Sequence, residues 1–78
     1  MNEKKVIVYT QTGCSACEAA KEFLSQEGID YEEKNIRSDE LAMKELTEKY
    51  NSRSTPTILV DDEVIIGFDR EELERVLS

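Results

Sequence analysis

Cys14 and Cys17 are the only two cysteines in the chain, and only Ser15 and Ala16 separate them. A pair this close can contribute half of a metal site, close a small structural ring, or exchange electrons with another disulfide. A structural zinc site takes four ligands, usually Cys and His. This chain has no His, so carboxylates, a second chain or an external thiol would have to complete the set. A structural disulfide stabilises mainly by closing a long loop in the unfolded chain, and a two-residue spacer closes almost nothing. Bonds of that kind are reducible rather than inert. The electron-exchange reading accounts for the spacing, and it also accounts for where the pair lies in the chain.

The elements around the pair are legible from the residue pattern. Lys4 to Thr10, "KKVIVYT", carries the β-branched and aromatic residues of a short buried strand. From about Ser15 to Glu27 the period becomes helical, with Cys17, Ala20 and Leu24 in one row, Ala16, Ala19 and Phe23 beside it, and Gly28 as the stop. A strand therefore points at the cysteines and a helix begins at them. With Cys14 at the N-cap, Cys17 falls at the third helical position, whose N–H is among the unpaired donors of the first turn. Those donors and the positive end of the helix dipole favour a thiolate, so the Cys14 pKa should lie below the free value of about 8.5. The thiolate is the form that attacks a disulfide. Cys17, one turn in and on the inner face, is placed to attack Cys14 in a second, intramolecular step. Cys14 is thus the expected nucleophile and Cys17 the resolving thiol. Glu18 acts in the opposite sense, since a neighbouring negative charge raises a thiol's pKa.

Further along, Ile29 to Ile36 reads as a second strand. Its polar segment "DYEEKNI" suits an edge, where charge discourages pairing with strangers. Ser38 or Asp39 caps a second helix with an apolar stripe of Met43, Leu46 and Tyr50. Thr57 to Val60 and Glu63 to Ile66 are joined by Asp61-Asp62 as a β-hairpin. A last helix runs from about Asp69 to Leu77. Asp69 and Glu72 have the spacing of a capping box, and Phe68 and Leu73 that of a hydrophobic staple. The order is β-α-β-α-β-β-α, an α/β sandwich on one mixed four-stranded sheet. No linker or repeat divides residues 1–78, which read as one domain.

A formal net charge of −8 argues against nucleic acid or an anionic membrane as partner, because both require basic footprints. The apolar run from Val6 to Tyr9 is too short for a signal-peptide core or a membrane span. The expected setting is the cytoplasm, where thiols stay reduced and a lone disulfide is more often catalytic than structural.

With the pair placed between a strand and a helix, the chain resembles the glutaredoxin-type members of the thioredoxin superfamily over nearly its whole length. The residues that carry the resemblance are "VYT" followed by C-x-x-C at a helix start, "T-P-T" before the hairpin, and Gly67 after it. The resemblance implies the thioredoxin/glutaredoxin fold, with strands one and two parallel and strands three and four antiparallel to their neighbours. It also implies a cis Thr55-Pro56 bond across from the cysteines. The backbone N–H and C=O of Thr55 would then pair with a substrate or with glutathione. The implied activity is dithiol–disulfide exchange by a monomer acting on disulfide-containing proteins. Glutathione or thioredoxin reductase would be the reductant, with no tightly bound cofactor.

Specificity is where this sequence departs from the family pattern. Glutathione-using members have a Lys three residues before the first cysteine, and this chain has Gln11. An amide can still hydrogen-bond a carboxylate but forms no ion pair with it. The loop after strand four is Gly67-Phe68-Asp69 rather than Gly-Gly-x-Asp. In that respect it resembles redoxins reduced by thioredoxin reductase, while the staple and the capping box account for Phe68 and Asp69 without a ligand. Arg53 lies where several glutathione-using members have a basic residue; it suits a glycyl carboxylate and equally a local ion pair. Ser15-Ala16 replaces the Pro-Tyr of many glutaredoxins and leaves the first helical turn less preset. A rival reading from another class is a dimeric carrier holding an iron–sulfur cluster through Cys14 and external thiols. Cluster-carrying members, however, resemble Cys-Gly-Phe-Ser and keep the basic residue that Gln11 replaces.

Overall fold

The computed structural model describes residues 5–52 and 54–77. Val6–Thr10 forms β1, Ser15–Gln26 α1, Glu32–Asn35 β2, Glu40–Lys44 α2, Thr57–Val60 β3, Glu63–Ile66 β4 and Arg70–Leu77 α3. The chain after α2 continues as a wider π-helical turn over Glu45–Lys49. The sheet order is β2-β1-β3-β4, with β1 and β2 parallel and both other pairings antiparallel. This is the thioredoxin/glutaredoxin arrangement that the residue pattern and the resemblance implied.

Alternation along the strands builds two cores, one on each sheet face. Val6, Val8, Ile58, Val60 and Ile65 face α1 and α3 and pack with Ala20, Phe23, Leu24, Leu73 and Val76. Tyr9 and Leu59 face the other way and pack with Ile36, Ala42 and Leu46. β2 is shorter than expected and is indeed an edge strand. Its charges have local partners: Glu33 meets Lys21 and Lys34 meets Glu45, both at 3.1 Å.

One expected core residue is corrected. Met43 is 44% exposed, and the buried positions are Ala42 in α2 and Leu46 in the π-helical turn. Asp39 is the cap: its carboxylate accepts from the N–H groups of Leu41 (3.0 Å) and Ala42 (3.2 Å). Met43 lies one residue further round than the row formed by Ala42, Leu46 and the half-buried Tyr50, a four-residue spacing that the wider turn over Glu45–Lys49 carries on. Asp69 caps α3 in turn, accepting from the Glu72 N–H at 3.2 Å, while the Glu72 carboxylate turns to Arg75 at 2.7 Å.

Candidate redox site

The end of β1 and the start of α1 are joined by a tight loop. Gly13 has φ +83°, a left-handed conformation that favours glycine, and the Cys14 N–H donates to the Gln11 carbonyl at 3.2 Å. Cys14 follows as the N-cap of α1 with extended backbone angles, and its sulfur accepts the Cys17 N–H at 3.1 Å. A sulfur thus occupies the place that a Ser or Asp oxygen usually takes. The two cysteines are bonded to each other as a disulfide with Cα atoms 5.2 Å apart. Cys17 is 1% exposed, whereas Cys14 is half-buried and reaches the surface.

The Thr55-Pro56 bond is cis. Thr55 faces Cys14 twice: its hydroxyl donates toward the sulfur at 3.6 Å, and its carbonyl lies 3.7 Å from the same atom. The side-chain hydroxyl is a contact that motif reasoning did not supply, since the resemblance speaks only for the Thr55 backbone. Gly67, at φ +85°, donates its N–H to the Pro56 carbonyl at 2.7 Å, so the end of β4 buttresses the proline.

Cys14, Cys17, Thr55, Pro56 and Gly67 are therefore brought together. Gln11 contributes its backbone to the loop and leaves its side chain exposed. Phe68 packs on the α1–α3 core, with its ring centroid 6.0 Å from that of Phe23, and Asp69 serves as the α3 cap. Arg53 lies outside the described residues.

Between β1, α1 and β2 runs a polar chain that no sequence motif announced. The Thr10 hydroxyl donates to Glu33 at 2.8 Å, Lys21 reaches the same carboxylate oxygen at 3.1 Å, and Lys21 also meets Glu18 at 3.2 Å. The Thr10 hydrogen bond, followed by Lys21, holds the Glu33 carboxyl below its ordinary value; the bond to Glu33 raises Lys21. The Glu18 charge, close in sequence to Cys14, thus has a cationic partner beside it. Among the described residues, no cluster of three or more Cys, Asp or Glu is arranged to hold a metal ion.

A parallel β1-α1-β2 unit, an antiparallel hairpin and a C-x-x-C pair facing a cis-proline define a thioredoxin-fold redox protein. More narrowly, the glutaredoxin family model matches residues 6–65, and the chain belongs to that family. A glutaredoxin-like 8.6 kDa protein of Clostridium pasteurianum is 26% identical over 71 residues, covering 91% of this chain and 95% of that protein. Glutaredoxin 3 of Escherichia coli is 30% identical over 64 residues, covering 82% of this chain and 77% of its own. Among solved structures, the thioredoxin-like protein BC3987 superposes with a TM-score of 0.90 at 42% identity, over 94% of this chain and all of that one. The glutaredoxin-like NrdH-redoxin of Escherichia coli, described as having a thioredoxin-like activity profile, gives 0.82 at 25% identity, over 91% and 92% of the two chains.

Proposed function

We propose that this protein is a dithiol–disulfide oxidoreductase that reduces protein disulfides, with Cys14 as nucleophile and Cys17 as resolving thiol. The observation that carries the reading is the Cys17 N–H directed at the Cys14 sulfur from a helix N-terminus, which favours the thiolate. The Cys14 thiolate attacks one sulfur of the substrate disulfide, and the other sulfur leaves as a thiolate. Cys17 then attacks the Cys14 sulfur and breaks the mixed disulfide, and its proton goes to the departing substrate thiolate. Two electrons pass to the substrate, and the Cys14–Cys17 disulfide remains. Thr55, whose carbonyl lies beside the sulfur, supplies backbone pairing for the substrate segment.

The reductant proposed is a thioredoxin reductase-type flavoprotein in the cytoplasm, acting on a monomer without a bound cofactor. The neutral Gln11, the use of Phe68 in the core and Asp69 as a cap, and the similarity to NrdH-redoxin support that choice over glutathione. The test follows NADPH consumption with insulin disulfides as substrate. One arm contains thioredoxin reductase, the other glutathione with glutathione reductase. Turnover only in the glutathione arm would overturn the choice of reductant; no turnover in either arm would overturn the activity.

A further inference from the structure

The loop that presents Thr55 contains a closed set of hydrogen bonds. The Thr57 hydroxyl lies 2.7 Å from the Ser54 carbonyl, to which it donates. The Ser52 and Thr57 hydroxyl oxygens are 3.0 Å apart, and the Ser54 N–H donates to the Ser52 oxygen at 3.3 Å. A hydroxyl has one proton to donate. That of Thr57 goes to the Ser54 carbonyl, so Ser52 must be the donor between the two hydroxyls. The ring then runs one way, from the Ser54 N–H through Ser52 and Thr57 and back to the Ser54 C=O.

Both ends of this ring are backbone groups of Ser54, and the carbonyl belongs to the peptide that leads into Thr55. The ring is rooted on two sides. The Ser52 N–H donates to the Leu46 carbonyl at 2.9 Å, which ties it to the π-helical turn. Thr57 sits in β3, paired with Tyr9 on one side and Ile66 on the other. Ser52 is 4% exposed and Thr57 0%, so a partner lost here is not readily replaced by bulk water.

We propose that Ser52 and Thr57 are positioning residues that, through their hydrogen-bond ring around Ser54, hold Thr55 against the Cys14 sulfur. The proposal rests on the redox reading above, in which the state of that sulfur governs reactivity. Neither hydroxyl touches the sulfur; both act through the Thr55 hydroxyl, 3.6 Å from it.

Thr57→Val keeps the shape and strand preference of the residue and removes both of its ring bonds. Ser52→Ala breaks the same ring from the other side, and Thr57→Ser restores it. The readout is the pH midpoint for alkylation of Cys14 by iodoacetamide in the reduced protein, with the adduct located by mass spectrometry. The charged groups of α1 nearest Cys14 in sequence, Glu18 and Lys21, pair with each other and are the same in every variant. Loss of a donor held against the thiolate should raise the midpoint by about half to one pH unit in Thr57→Val and in Ser52→Ala. Thr57→Ser should return it to the wild-type value. In a Thr55→Val background, Thr57→Val should add little, because the two act on one contact.

An unchanged midpoint in the folded ring variants overturns the proposal, as does a full further shift in the Thr55→Val background. Should Thr57→Val fail to fold, Ser52→Ala carries the comparison alone. A wild-type protein that reduces no disulfide overturns the redox reading, yet the midpoint still decides whether the ring acts on Cys14.

Discussion

The Cys17 backbone N–H points at the Cys14 sulfur from 3.1 Å, so one member of the pair supplies the hydrogen bond that the other's sulfur accepts. Because the donor is backbone, it survives replacement of the Cys17 side chain. Cys17→Ser should therefore keep a reactive Cys14 and accumulate a mixed disulfide with a protein substrate, visible as an adduct on non-reducing gels. Cys14→Ser should abolish disulfide reduction. Retained turnover in Cys14→Ser would reverse the assignment of roles.

Glu33 makes stability depend on acid. Its carboxyl is held below the ordinary range, first by the Thr10 hydroxyl and then by Lys21. A carboxyl whose folded value lies below its unfolded one adds stability that is complete above the unfolded value and lost as pH falls through the folded one. Glu33 is 38% exposed at its side chain, so solvent limits this contribution to about 0–1 kcal/mol. Between about pH 6 and pH 3 the urea midpoint of the wild type should fall more steeply than that of Glu33→Gln. Equal slopes for the two proteins would remove Glu33 from the acid response.

Tyr9 is the buried counterpart on the other sheet face. Its hydroxyl donates to Glu45 at 3.1 Å, and burial, followed by that hydrogen bond, pushes its pKa well above the usual tyrosine range. At about pH 10, where an unperturbed phenol is half-ionised, the 295 nm absorbance of Tyr9→Phe should match the wild type, since Tyr9 contributes no phenolate there. The same substitution should lower unfolding stability by about 1 kcal/mol, the net worth of one such hydrogen bond. A smaller absorbance in the variant would show that Tyr9 ionises normally.

Gly67 should tolerate a side chain sterically but not conformationally. A Cβ placed there meets nothing within 4 Å, while the backbone sits at φ +85°. Gly67→Ala should cost about 1–2 kcal/mol in thermal or urea unfolding, the penalty for left-handed backbone in an L-residue. Gly67→Asn should cost less, since a short polar side chain is better accommodated there. The reverse order would point to crowding rather than backbone conformation.

The elements nearest the cysteines were the most legible from sequence, because local chemistry decides them. Cys14 as N-cap, the inward row of Cys17, Ala20 and Leu24, and the hairpin over Thr57–Val60 and Glu63–Ile66 follow from caps, helical period and a two-residue turn. Met43 was misplaced because a regular α-helical period does not hold past Lys44, where the chain widens into the π-helical turn. The π-helical turn has no local signature, and it decides where Ser52 lands. Thr57 read simply as a strand residue, and its second use, joining Ser54 to Ser52, arises only once the π-helical turn has set Ser52 beside β3. The Thr10–Glu33–Lys21 chain was hidden for the same reason: it joins a strand, its parallel neighbour and the helix between them.

The separation of three in sequence between the disulfide partners has a last consequence. Opening their bond releases no distant segment and separates no two elements of the sheet. In the proposed cycle, oxidised and reduced forms would then present almost the same surface, differing chiefly in two sulfur atoms. A partner that discriminates between them must read those sulfurs rather than the shape of the protein. Within the proposed cycle, one docking face would then serve traffic in both directions.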